Sequence, residues 1–317
     1  MDINEHKKEI TPRTDIIFKN IFGKEGNENI LEDLVESIIG EKVKVLKLQK
    51  SNELDSENIY EKTSILDIKA ELSNNKIVDI EMQNSNYPYY NKRVLYYFSK
   101  LITTQIKFGE QYEKIKDVIV INILNYKIPG IEDYIIKCDI NNRSNFCVNG
   151  GVIYFIQLPR FEEERKLLDN DVKYEDIVKN KLDEWCVFLS NRSQEVRNMV
   201  AKNNINIEEA IKQYEELSSI PEVVETAFRR RIAEMDRMAR EQEAMKTGME
   251  KGLKKGMKVG KKEGRKEGKI EGKIEGKIEG IIESKKEIAK KLLNQKINMQ
   301  VIINATGLTK EEIEAIV

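Results

Sequence analysis

The chain has 317 residues, 34% charged and 40% hydrophobic, and its 54 Lys and Arg nearly cancel its 55 Asp and Glu. That is enough chain for two or more domains. The single histidine, His6, lies in a polar leader, so histidine triads and paired-histidine zinc sites are excluded, and any chemistry must use carboxylates, lysines or hydroxyls. Cys138, Cys147 and Cys186 are odd in number and lack C-x-x-C spacing, so they read as core thiols in a reducing compartment. No apolar run approaches the roughly 18 residues of a membrane helix, and the opening MDINEHKKEI has no signal-like apolar segment. A cytoplasmic protein without membrane contact is expected.

From Thr14 to Ile39, apolar residues including Ile17, Phe18, Ile21, Leu31, Leu34 and Ile38 recur at helical spacing, interrupted near Gly23 and Gly26. Two helical segments sharing one buried face are predicted. Residues 43–49, 64–72 and 77–83 alternate apolar and polar, predicting three consecutive strands. Pro88 opens a tyrosine-rich stretch in which Val94, Leu95, Phe98, Leu101, Ile102 and Ile106 form a helical stripe ended by Gly109. DVIVINIL at 117–124 reads as a strand covered on both faces, and VIYFIQL at 152–158 as another. Beyond Pro159 the pattern is helical to about residue 245. This order implies a compact α/β domain.

The composition then changes. Nine of the 17 glycines, from Gly248 to Gly280, recur every four residues. Residues 246–291 hold 16 Lys and Arg against 8 Asp and Glu, a net of +8, leaving 38 basic and 47 acidic residues, a net of −9, elsewhere. Each glycine costs a helix about 1 kcal/mol relative to alanine, and like charges repeat at i,i+4, so local propensity does not order this segment. It reads either as a flexible charged linker or as a helix paired along its glycine stripe with a close-packed partner. Residues 283–317 form short helical units, with Gly307 as a helix stop and Thr309 to Glu312 as a capping box.

Chemistry concentrates in the second and third strands. Alternation puts Asp79, Glu81 and Gln83 on one face of the third strand and Asp67, Lys69 and Glu71 on one face of the second. With an odd-numbered hairpin loop, such as Ser73 to Asn75, Asp67 lies across from Glu81 with Cβ atoms about 5 Å apart. Two carboxylates so close call for a hard divalent cation between them. A two-residue turn would put them on opposite faces. The plainer alternative is that both decorate a solvated hairpin face.

The stretch LDIKAELSNNKIVDIEMQ resembles the active-site hairpin of the PD-(D/E)XK nuclease superfamily, in which an Asp is followed after a short turn by E-x-K or E-x-Q. More closely, TDIIFKNIFG at 14–23, RVLYYFSKLITTQIKFGEQY at 93–112, DEWCVFL at 183–189 and the glycine-repeat tail make the chain similar to the recombination-promoting nucleases, a transposase family of that superfamily. The resemblance implies a restriction-endonuclease-like α/β core, a central mixed sheet flanked by helices, with an α-helical C-terminal extension. The expected parts are a leader at 1–13, the nuclease-like core at 14–160, a helical region packed on it at 161–245, the glycine-repeat helix or linker at 246–282 and a helical module at 283–317.

It further implies that Asp67 and Glu81 hold Mg²⁺ or Mn²⁺, with the Met82 carbonyl, and that Gln83 takes the position often held by lysine. An amide orients a water but brings no charge to it, so activation would fall mainly on the metal. Glu32 or Glu36 of the helical opening would add a further acid. Arg93 and Lys100 are candidate phosphate contacts, beside the plain reading of an ordinary helix face. The implied activity is metal-dependent hydrolysis of DNA phosphodiesters promoting recombination, in a homo-oligomer joined through the glycine-repeat helix. The alternative is a catalytically silent oligomeric DNA-binding or scaffold protein.

Overall fold

A computed structural model describes residues 10–49, 68–139, 150–167, 173–190 and 193–316. The chain divides into two units, one reaching Ala233 and one beginning at Glu234. In the first, helices α1 (Asp15–Phe22) and α2 (Glu28–Ile39) precede strands β1 (Val45–Gln49), β2 (Ile68–Leu72) and β3 (Lys76–Gln83). Helix α3 (Tyr90–Thr103) leads to β4 (Asp117–Leu124), β5 (Ile135–Asp139) and β6 (Gly151–Gln157). Helices α4 (Leu158–Glu164), α5 (Tyr174–Ile177), α6 (Lys181–Ser190), α7 (Gln194–Ala201) and α8 (Ile205–Ser219) follow.

The six strands form one mixed sheet in the order β1-β2-β3-β4-β6-β5. β3, β4 and β6 are parallel, and β1, β2 and β5 run antiparallel to their neighbours. Its two faces bury different sets of side chains. Val78, Ile80 and Met82 of β3 join Ile119, Ile121 and Ile123 of β4 in the main core, with Phe18, Leu34, Trp185 and Ile207 from α1, α2, α6 and α8. Val118, Val120 and Leu124 point the other way, onto Val94, Phe98 and Leu101 of α3. DVIVINIL is apolar throughout because it has helices on both sides. This is the restriction-endonuclease-like α/β architecture implied by the resemblance.

Three features depart from the sequence reading. The edge strand β5 was not expected: its residues are half-buried or exposed, so YIIKCD carries no alternation, and pairing with β6 defines it. Helix α3 ends at Thr103, short of Ile106 and Gly109. Among the cysteines, Cys186 is a core thiol, pushed well above its ordinary pKa by burial, but Cys138 is exposed on β5; Cys147 lies outside the described residues.

Gly151, at φ +126, opens β6 against β4, and a Cβ there would lie 1.8 Å from the Val118 carbonyl oxygen. Relieving that contact means moving backbone in the centre of the sheet. Gly151→Ala should therefore cost about 4 kcal/mol, combining strain with overpacking, read as a lower urea midpoint.

Helix α9 (Pro221–Asn294) runs through the whole glycine repeat without a break, so the repeat is helix and not linker. After it, α10 (Met299–Thr306) and α11 (Lys310–Glu314) fold back on its end around Ala289, Ile302, Leu308 and Ile313. Gly307 adopts the left-handed conformation at the end of α10, and Thr309 and Glu312 form the reciprocal capping box.

Candidate active site

β3 is bonded to β2 on one side and β4 on the other, so each side chain it carries lies over a covered face. Alternation sends Asp79, Glu81 and Gln83 toward α3, and they are only 0%, 2% and 7% exposed. These are not residues decorating a solvated hairpin. Gln83 Nε2 donates to Glu81 Oε2 at 2.9 Å, fixing the carboxylate from two residues along the same face.

The β2–β3 ladder pairs Ile68 with Ile80 and Lys69 with Asp79 across the three-residue turn Ser73–Asn75, whose Asn75 takes a left-handed φ of 59. The loop is therefore odd, the parity required for carboxylates on neighbouring strands to share a face. Asp67 itself lies outside the described residues. Lys69 is half-buried on the face of Asp79 and Glu81; burial lowers its pKa, with the Asp79 charge acting in the opposite direction.

Asn122 of β4 is the strand neighbour of Glu81. It is fully buried, accepts from the Tyr90 hydroxyl at 2.7 Å and donates to the Tyr154 carbonyl at 3.1 Å. Sequence reasoning missed it, although one amide inside an otherwise apolar strand was a signal. Through it the first turn of α3 is tied to the strand beside Glu81. The Arg93 guanidinium lies 5.5, 5.6 and 5.4 Å from the ring centroids of Tyr87, Tyr90 and Tyr97, within cation–π range of each. Tyr126 packs edge-on to Tyr90, and burial pushes its hydroxyl to about 12 against the opposing effect of Arg93. Arg93 thus belongs to the wall of this site, whereas Lys100 is half-buried two turns further along α3.

Glu32 and Glu36 are not brought here. Their helix α2 packs on the opposite sheet face, and both carboxylates hold the chain entering β1. Glu32 accepts from Val45 N at 2.8 Å and pairs with Lys44 at 2.7 Å; Glu36 accepts from Val43 N at 3.1 Å and pairs with Lys42 at 2.7 Å. The amides at the head of a neighbouring strand claim them, which nothing in helical periodicity reveals. The Met82 side chain also points into the main core, so only its backbone is placed between Glu81 and Gln83.

The arrangement is one buried carboxylate oriented by an amide, with a second carboxylate and a lysine on the same face and an arginine over the adjoining tyrosines. Oxygen donors dominate it, which suits a hard cation or the handling of a phosphate ester. A family model described as PD-(D/E)XK nuclease family transposase matches residues 12–244. No match emerges among curated proteins or among solved structures. The match supports a nuclease or transposase-like function with DNA as the substrate class, and no helix among the described residues is long and apolar enough to cross a membrane. It spans well over half of the sequence, from the approach to α1 into α9, and on that basis the chain belongs to the PD-(D/E)XK nuclease family transposases.

Proposed function

We propose that the protein is a divalent-metal-dependent DNA endonuclease whose cuts promote recombination. The observation that carries this reading is the buried Glu81–Gln83 pair on the α3 face, next to a hairpin of the parity that a shared site with Asp67 requires. The residues fit a hard metal: the donors beside Glu81 are carboxylate and amide oxygens, with no thiol or imidazole near them among the described residues. Asp67, Glu81 and the Met82 carbonyl would hold Mg²⁺ or Mn²⁺. When bound, such an ion polarises the scissile phosphate and lowers the pKa of a water.

The remaining work falls to the chain. Gln83 holds Glu81 through its nitrogen, and its carbonyl end accepts a hydrogen bond from the attacking water. Lys69 supplies on the same face the positive charge that an amide at position 83 lacks. Arg93 contacts a flanking phosphate from the head of α3, its guanidinium kept in place by tyrosine rings.

Plasmid nicking with Mg²⁺ or Mn²⁺ tests the reading. The intact protein should nick supercoiled plasmid and Asp67→Ala should not; equal nicking by both would remove Asp67 from the site.

Self-association through α9 completes the proposal. Met249, Leu253, Met257, Ile270, Ile274 and Ile278 are each more than half exposed. On a regular helix of about 100° per residue they fall within about 140° of arc. The glycine line, by contrast, advances about 40° at every repeat and winds almost once around the helix, so the apolar side and not the glycine stripe offers a constant face. Ending the chain at residue 245 should lower the mass measured by light scattering to that of one copy.

A further inference from the structure

The same helix has a second constant face. Between residues 246 and 277 there are twelve Lys and Arg, and all are exposed. At about 100° per residue, eleven of them, every one but Lys246, fall within about 160° of arc opposite the apolar side. Glu263, Glu267, Glu271 and Glu275 fall on the apolar side instead. A charge-rich repeat whose only task was solubility has no reason to sort its signs. This one does so although both its lysines and its glutamates advance by four, because the change of column from Met257 to Ile270 resets the drift.

We propose that the basic face of α9 binds the phosphate backbone of duplex DNA. It extends from Lys251 to Lys277, about 40 Å along the axis at 1.5 Å per residue, slightly more than one turn of a duplex. The segregated glutamates stay clear of the phosphates. An anionic membrane surface is the other polyanion to consider, but the geometry disfavours it. A helix lying in a membrane interface sinks its apolar side and keeps its basic residues close to the headgroups. Here, sinking the apolar side would bury four glutamates and turn the lysines away from the lipid. Contact with DNA along this face gives an otherwise acidic chain its affinity for the substrate, so the proposal rests on the nuclease reading for its substrate class while using residues remote in sequence from Glu81.

The test measures binding without cleavage. A fluorescein-labelled 30-bp duplex is titrated with full-length protein in EDTA over a range of salt concentrations. The variant Lys255→Gln, Lys258→Gln, Lys262→Gln, Lys266→Gln is compared with Lys285→Gln, Lys286→Gln, Lys290→Gln, Lys291→Gln, which loses the same charge beyond the face. Circular dichroism at 222 nm confirms that both keep their helix. Each phosphate contact contributes about 0.9 to the slope of log K against log salt, so the first variant, with four contacts removed, should lose about 3.6 from the slope and the second less than one. Equal losses in the two variants, no loss in the first, or vesicles of phosphatidylserine binding as tightly as the duplex through the same four lysines would each overturn the proposal. The result is separate from nicking. A protein that binds in this way but never cuts leaves the face standing and removes the enzyme; one that cuts with its salt slope unchanged in the first variant does the reverse.

Discussion

Glu81→Gln is expected to lower plasmid nicking by about 1000-fold while leaving the fold intact. The change is isosteric and keeps a group in contact with Gln83, so packing under α3 is preserved. What disappears is the negative charge, and with it a ligand for a hard cation and the field that stabilises charge in the reaction; losses of this order follow removal of one such group. Stability should hold or rise, because a neutral amide is cheaper to bury than a carboxylate. Gln83→Ala should fall between the parent and Glu81→Gln, losing about 10- to 100-fold, as expected for a residue that orients another ligand. Gln83→Lys should retain cleavage, since it restores the charge used elsewhere in the superfamily. Full nicking by Glu81→Gln with normal fluorescence from the single tryptophan would remove the catalytic assignment from this strand.

The parts of this site that could be read from the sequence are those fixed by local periodicity. IVDIEMQ alternates strictly, so the side of β3 carrying Glu81 and Gln83 follows from counting. The parity of the hairpin did not follow, because the run SNN accommodates turns of two or three residues; the pairing of Lys69 with Asp79 and Glu71 with Ile77 decides it, with Asn75 taking the left-handed φ that the turn needs. Contacts between distant segments were equally hidden. Tyr90 and Asn122 are 32 residues apart, and their bond becomes visible only once α3 lies across β4. The helix-borne acids show the same limit from the other side, since Glu32 and Glu36 have the right charge and spacing for a site, and only the fold reveals that the amides of Val45 and Val43 take them.

The glycine repeat offers a different lesson. Composition alone made it equally a linker or a helix, because glycine content and i,i+4 repulsion both act against local order. Its helical reading becomes coherent only when all four columns of the repeat are followed together. The glycines wind around the axis, while the apolar and basic residues each hold to one side. A pattern with period four thus builds two faces on a helix of period 3.6 by changing column once.

Asp33→Ala should destabilise the first unit by about 3 kcal/mol. Asp33 is a buried carboxylate on α2 that was not singled out from sequence, yet it ties three elements together. It accepts from Trp185 Nε1 and Asn204 Nδ2, each at 2.9 Å, and pairs with Lys181. Asn204 also donates to Glu184 at 3.0 Å and caps α8, so the carboxylate anchors a network beneath the DEWCVFL helix. Alanine would leave the buried Trp185 Nε1 without an acceptor and Asn204 Nδ2 with Glu184 alone, at about 1–3 kcal/mol for such an orphaned donor. It would also remove the partner of Lys181, a loss partly relieved by water entering beside that exposed lysine. Burial alone would raise the Asp33 pKa, but hydrogen bonds from Asn204, Lys181 and Trp185 outweigh it and hold the carboxyl below its ordinary value. A carboxyl depressed in the folded state contributes its full stability above the unfolded value, about 3.9, and loses it as pH falls through the lower folded value. Urea unfolding followed by Trp185 fluorescence reports on this unit alone, since there is one tryptophan in the chain. The parent midpoint should drop between about pH 5 and pH 3. Asp33→Asn should begin lower and show a shallower fall, and coincident pH profiles for the two would mean that the network does not carry the acid sensitivity.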